Sequence, residues 1–122
     1  MTRPAESESG SVILVVEDEI ELSRLFVEAL GDAGFRVVPA YSVADALSSL
    51  ASHTVDAAIL DVELRDGPVF PVADQMAARG IPFLFASAVY FQAVPKRHQG
   101  APFVTKPFSV KELLHLVSRL RP

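Results

Sequence analysis

Four apolar runs in this chain each end in side chains able to do ionic chemistry. SVILVV (11–16) leads into Glu17, Asp18 and Glu19, VDAAIL (55–60) into Asp61, IPFLFA (81–86) into Ser87, and APFVT (101–105) into Lys106. Taken singly, each has an ordinary reading: acids suit the first turn of a helix, an aspartate can cap a turn, and a serine or lysine is common in loops. Taken together they describe a site. Carboxylates gathered at one place repel one another and raise each other's pKa, a cost that a bound cation removes. A hard divalent ion such as Mg²⁺ accepts a few carboxylates and keeps several waters. An ammonium and a hydroxyl on the facing rim can then hold a second anion such as a phosphoryl group. A metal-and-phosphate crevice accounts for Glu17, Asp18, Asp61, Ser87 and Lys106 at once.

Such a site requires elements that bring the four run ends together. The run at 11–16 is continuous and β-branched, as in a strand covered on both faces. Ile20, Leu22, Leu25, Phe26, Ala29 and Leu30 recur at helical spacing, and Gly31 or Gly34 stops that helix. FRVVPA (35–40) predicts a second strand, Ser42 a cap for a helix over 43–52, and 55–60 a third strand. A helical pattern over 69–79, strands at 81–86 and 101–105, and a final helix opened by Ser109 complete the pass. Strands alternating with helices imply a parallel sheet with helices on both faces and right-handed crossovers. The predicted fold is α/β, an open doubly wound parallel sheet of about five strands. Its ligand crevice lies beyond the carboxyl ends of the strands, where the charged residues stand. Pro95 and Gly100 interrupt SAVYFQAVPKRHQG, the segment between the last two strands, so the fourth helix is expected to be short, distorted or missing.

With 122 residues the chain forms one domain, expected over 11–122 behind a flexible tail at 1–10. The start MTRPAESESG has no signal-peptide core, and no apolar stretch approaches the roughly 20 residues needed to span a bilayer. Cysteine is absent, which excludes disulfides and thiolate metal sites and fits a reducing cytoplasm. A net charge of −4 argues against nucleic acid as a partner. Residues 91–122 nevertheless hold six of the eleven basic residues and a single acid, Glu112, so a docking surface for a partner protein is expected over 88–121.

The set Glu17-Asp18, Asp61, Ser87 and Lys106-Pro107-Phe108 closely resembles the receiver domains of two-component response regulators, in the family's order over residues 11–121. The resemblance implies a flavodoxin-like doubly wound five-stranded parallel sheet of order 2-1-3-4-5, with Asp61 as the phosphoacceptor and Asp18 as a direct Mg²⁺ ligand, Glu17 acting through a metal-bound water. It gives the backbone carbonyl of Glu63 as the third protein ligand, Lys106 as the partner of the phosphoryl oxygens, and a cis Lys106–Pro107 peptide. The phosphodonor would be a sensor histidine kinase or a histidine phosphotransfer protein. In receivers the residue at Ser87 moves inward and an aromatic on the fifth strand follows. Phe103 holds that place and has no hydroxyl, so switching here would be a packing event.

Two departures stand out. Arg65 occupies the position where most receivers have a proline, and Gly67 comes about two residues early. FASAVY (85–90) is similar to the FAT GUY group of single-domain regulators, named for Phe-Ala-Thr-Gly-apolar-Tyr, with Ser87 for threonine and Ala88 for glycine. That likeness implies a general stress-response phosphorelay, a reduced fourth helix, and a switch role for Tyr90 beside Ser87. No output domain is expected after the final helix, although a receiver excised from a hybrid kinase would read the same. Two other readings are a degenerate receiver that only binds proteins and a magnesium-dependent phosphatase of the haloacid dehalogenase type. The latter places its nucleophile after the first strand with a second aspartate two residues on. Here Asp61 follows the third strand and Glu63 holds the second position. The expected role is that of a phosphoacceptor rather than an enzyme.

Overall fold

Runs of apolar residues buried on both sides become central strands, because side chains alternate between the two faces of a sheet. The computed structural model describes residues 10–121, so the tail expected at 1–10 lies outside the described residues except for Gly10. The strands are β1 (Val12–Val16), β2 (Arg36–Ala40), β3 (Ala57–Leu60), β4 (Glu63–Leu64), β5 (Gly67–Pro68), β6 (Phe83–Ser87) and β7 (Phe103–Thr105). The helices are α1 (Ile20–Asp32), α2 (Val43–Ser52), α3 (Phe70–Ala78) and α4 (Val110–Leu120). Five strands form one parallel sheet in the order β2-β1-β3-β6-β7, which is the predicted 2-1-3-4-5 topology once the small antiparallel β4–β5 hairpin is set aside. The hairpin itself is an addition to the predicted elements.

Alternation along the strands builds two cores. Leu14, Val16, Ala58, Leu60, Phe83 and Phe85 face one side and pack with Ala46 and Leu50 of α2 and Val72, Ala73 and Met76 of α3. Ile13, Val15, Ala57, Ile59, Leu84 and Ala86 face the other and meet Phe26 and Leu30 of α1 and Leu113 and Val117 of α4. Each fully buried Val, Leu, Ile, Phe or Met among them contributes about 1.5–3 kcal/mol, and the alanines less.

Local signals set the helix ends. Gly34, at φ 99°, turns the chain after α1; Gly31 stays inside the helix, so of the two candidate stops only the left-handed one acts. The Ser42 hydroxyl accepts from the Asp45 N–H, and Ser109 and Glu112 form a reciprocal capping box on α4. Between β6 and β7 the expected helix is reduced to two 3₁₀ turns, Phe91–Ala93 and Lys96–His98. Among the described residues, no helix is long and apolar enough to cross a membrane.

Candidate functional site

The sheet's own hydrogen bonds run one residue past the strands and fix the backbone of the site. The Glu17 N–H donates to the Ala40 carbonyl at 3.0 Å, the Asp61 N–H to Val16 at 2.9 Å, and the Lys106 N–H to Ser87 at 2.9 Å. Because parallel strands all end on the same side, the side chains that follow them converge. The Ser87 hydroxyl donates to Asp61 Oδ1 at 2.7 Å, and Lys106 Nζ donates to Asp61 Oδ2 at 3.2 Å and to Glu17 Oε1 at 2.7 Å. One oxygen from each of Glu17, Asp18 and Asp61 lies within 4.8 Å of the others. Glu17, Asp61 and Ser87 are buried, Asp18 half-buried.

Glu17 also braces the backbone. Its Oε2 accepts from the Glu19 N–H at 3.1 Å, satisfying an otherwise unpartnered donor just ahead of α1. The Glu19 side chain points to solvent and takes no part. Burial pushes the Glu17 carboxyl up to about 7, against the lowering effect of the Lys106 hydrogen bond, and the neighbouring Asp61 charge adds to the rise. Burial alone would lower the Lys106 ammonium. The hydrogen bond to Glu17 and the Asp61 and Glu17 charges together outweigh burial and raise it.

The donor set suits a hard divalent cation. Ligands on opposite sides of an octahedral Mg²⁺ stand about 4.2 Å apart, so oxygens within 4.8 Å of one another need only a small closure, or one intervening water, to share an ion. Three carboxylates against a single ammonium also leave a net negative site for that ion to neutralise.

Glu63 sits at the start of the added hairpin, where the antiparallel ladder bears on its carbonyl. The Val69 N–H donates to the Val62 carbonyl at 2.9 Å while the Val62 N–H turns to Ser87 Oγ at 3.4 Å, so this position keeps one of the two bonds of a hydrogen-bonded pair. Such pairs alternate with non-bonded ones, and the next pair is Glu63 with Pro68, which has no N–H to offer. The Glu63 carbonyl therefore faces away from its partner strand. The hairpin turn is tied down at its tip. Asp66 Oδ1 accepts from the Val43 N–H at 2.8 Å, Oδ2 accepts from Ala44 at 3.1 Å, and Arg65 Nη2 donates to the Asp18 carbonyl at 3.4 Å.

The remaining predicted residues divide. The Lys106–Pro107 peptide is cis. Phe103 is partly buried, with its ring 6.2 Å from Phe85 and 5.9 Å from Phe91. Tyr90 is 82% exposed, so its side chain stands out in solvent rather than packed beside Ser87. The 3₁₀ segment that follows is anchored by a cluster that sequence reasoning missed. Asp74 on α3 accepts from Arg97 Nε at 2.8 Å and pairs with His98 Nε2 at 2.6 Å. His98 is buried, stacked on Phe70 and edge-on to Phe83 and Phe85. Arg97 holds the Asp74 carboxyl below the usual carboxylate range, and His98 adds to the effect. Two of the six basic residues expected on a docking face, Arg97 and Lys106, are thus engaged within the molecule.

Comparison with known proteins agrees with this arrangement. Residues 13–118 match the response regulator receiver domain family. A swarming motility regulation protein of Serratia marcescens, RssB, is 34% identical over 110 residues, covering 86% of this chain and 50% of that protein. The chain spans about half the length of the curated relatives it matches. Among solved structures, SdrG from Sphingomonas melonis is 34% identical with a TM-score of 0.79, covering 93% of this chain and 98% of SdrG. The response regulator TrrA of Thermotoga maritima, solved in complex with Mg²⁺–BeF, is 26% identical with a TM-score of 0.80, covering 91% and 99%. A five-stranded sheet of this order, an acid cluster at its carboxyl edge and a family match over nearly all described residues lead to one conclusion: the chain belongs to the response regulator receiver domains of two-component systems.

Proposed function

We propose that Asp61 accepts a phosphoryl group from a phosphohistidine, on a sensor histidine kinase or a histidine phosphotransfer protein, in a magnesium-dependent reaction. The observation that carries this reading is the setting of Asp61. Its two oxygens are held by a hydroxyl and an ammonium, beside two further carboxylates, at the end of a central strand. An Asp61 oxygen attacks phosphorus in line. The P–O bond forms as the P–N bond to imidazole breaks, and the leaving nitrogen is neutral once protonated. Asp18 would ligate the metal directly, Glu17 through a water, and the Glu63 carbonyl would complete the protein's share. Bound there, Mg²⁺ would neutralise charge on the group in transfer. Lys106, already in contact with Asp61, pairs with phosphoryl oxygens, and the Ser87 hydroxyl turns from the carboxylate to the new anion. Phe103, packed on Phe85, follows by repacking.

The phosphorylated state then changes partner binding or passes the group on, and the chain acts as a phosphoacceptor that assists its own modification. The FASAVY motif and the reduced fourth helix favour a place in a general stress-response phosphorelay. The length of the curated relatives favours a second reading, in which the same phosphoacceptor is one module of a longer regulator or kinase.

Incubation with a small phosphodonor and Mg²⁺ tests the reading. Acid-stable, alkali-labile label at Asp61 is the expected result. Sustained multiple turnover would favour a hydrolase, and no label would favour a protein-binding module.

A further inference from the structure

After Asp61 the chain leaves the main sheet and carries Glu63 into the β4–β5 hairpin, whose turn bears Arg65 and Asp66. We infer that Asp66 is the positioning residue for the Glu63 carbonyl: its carboxylate clamps the hairpin tip to the first turn of α2 and so holds that carbonyl towards the metal. The inference rests on the phosphoacceptor reading and names the part of the chain that prepares its metal site.

Strands β4 and β5 have two residues each, too few for a hairpin to persist in water by its own ladder. The Glu63–Pro68 pair supplies no cross-strand hydrogen bond, so at that level the ladder is empty. At its base the hairpin is held by buried Val62 and Val69. Its tip is held by Asp66, whose two oxygens take the Val43 and Ala44 N–H groups at 2.8 and 3.1 Å. Those donors belong to the first turn of a helix and have no partner within it. Both bonds are charge-assisted, and they hold the Asp66 carboxyl below its usual range, so it stays ionised. Arg65, the preceding residue, reaches the Asp18 carbonyl and ties the tip to the loop after β1. Two neighbouring turn residues thus lash the hairpin to the first turn of α2 and to the loop after β1. Gly67, at φ 133°, supplies the backbone conformation of the turn that follows them. Asp66 touches no reacting atom; it acts through Glu63, three residues earlier.

The test is a Mg²⁺ titration of the whole chain followed by amide chemical shifts, together with hydrogen exchange of residues 62–69 without metal. Removing a group that orients a metal ligand weakens binding about tenfold, the result expected for Asp66→Ala, with faster exchange in the hairpin. Asp66→Asn, which keeps one acceptor oxygen, should fall between, and it also serves if the alanine variant does not fold. Ser42→Ala removes a different cap from the same helix. It should lower the melting temperature yet leave magnesium affinity and hairpin exchange unchanged, separating positioning from helix stability. Asp66 variants that bind Mg²⁺ as the parent does, with unaltered exchange, would overturn the inference. A parent chain taking up no Mg²⁺ at millimolar levels would instead overturn the metal reading, and this inference with it.

Discussion

Glu17 offers a test in which pH alone is the perturbation. Its carboxyl, pushed up to about 7 chiefly by burial, must ionise before it can serve a cation. The ionised share is about 90% near pH 8 and about 10% near pH 6, so magnesium affinity should fall about tenfold across that interval. A glutamate at its ordinary 4.5 would stay ionised throughout and give a flat profile. Calorimetric titrations at three pH values, each in two buffers of different ionisation enthalpy, read both quantities. Near pH 7 about half a proton should leave per Mg²⁺ bound. Without metal the sign reverses. The folded pKa lies above the unfolded one, so Glu17 contributes stability in full below 4.5 and loses it as pH rises through about 7. At about 1.4 kcal/mol per unit, that change is at most about 3.5 kcal/mol. A magnesium affinity that does not move between these pH values, with no proton released, would refute the reasoning.

Asp61→Asn should abolish labelling while melting close to the parent, because asparagine keeps Oδ1 as acceptor for Ser87 and its lost charge relieves repulsion from Glu17; a grossly unfolded variant would contradict this. Lys106→Ala should still take label yet fail to transmit it, with shifts confined to the site in NMR spectra. It removes the partner of buried Glu17 at a cost of about 1–3 kcal/mol, held to that range because Glu17 can take up a proton. Asp74→Ala should leave buried His98 without its partner, costing about 1–3 kcal/mol and speeding hydrogen exchange in residues 91–98 before the rest of the fold; unchanged exchange there would refute the anchoring role.

The features legible in the sequence were those with a local or periodic signature. Continuous apolar runs gave the central strands, since burial on both faces demands them. Serines ahead of amphipathic stretches gave the starts of α2 and α4. The site followed because residues directly after parallel strands must converge. Pro95 and Gly100 announced the loss of a helix between β6 and β7. What escaped was set by contacts distant in the chain. The hairpin has strands too short for periodicity, and its tip is fixed by Asp66 reaching back 23 residues to Val43. The Asp66-Gly67 pair was a turn signal that could have found it. Asp74, Arg97 and His98 sit 23 and 24 positions apart on different elements, so neither spacing nor composition ties them together. The FASAVY motif places Tyr90 beside Ser87, yet its side chain is exposed to solvent, a matter of tertiary packing that a motif does not encode.

The stretch between β6 and β7 is fastened unequally. Its later half is moored by His98, by buried Val94 and by Gln99 Nε2 donating to the Val94 carbonyl at 2.8 Å, whereas Tyr90 and Phe91 stand exposed. The other end is fixed too, because Ser87 ends buried β6 and Val89 packs against the core, so Tyr90 and Phe91 lie on a short arch between two anchored points. A displacement at Ser87 would have to be taken up within that arch, and it would meet water at Tyr90.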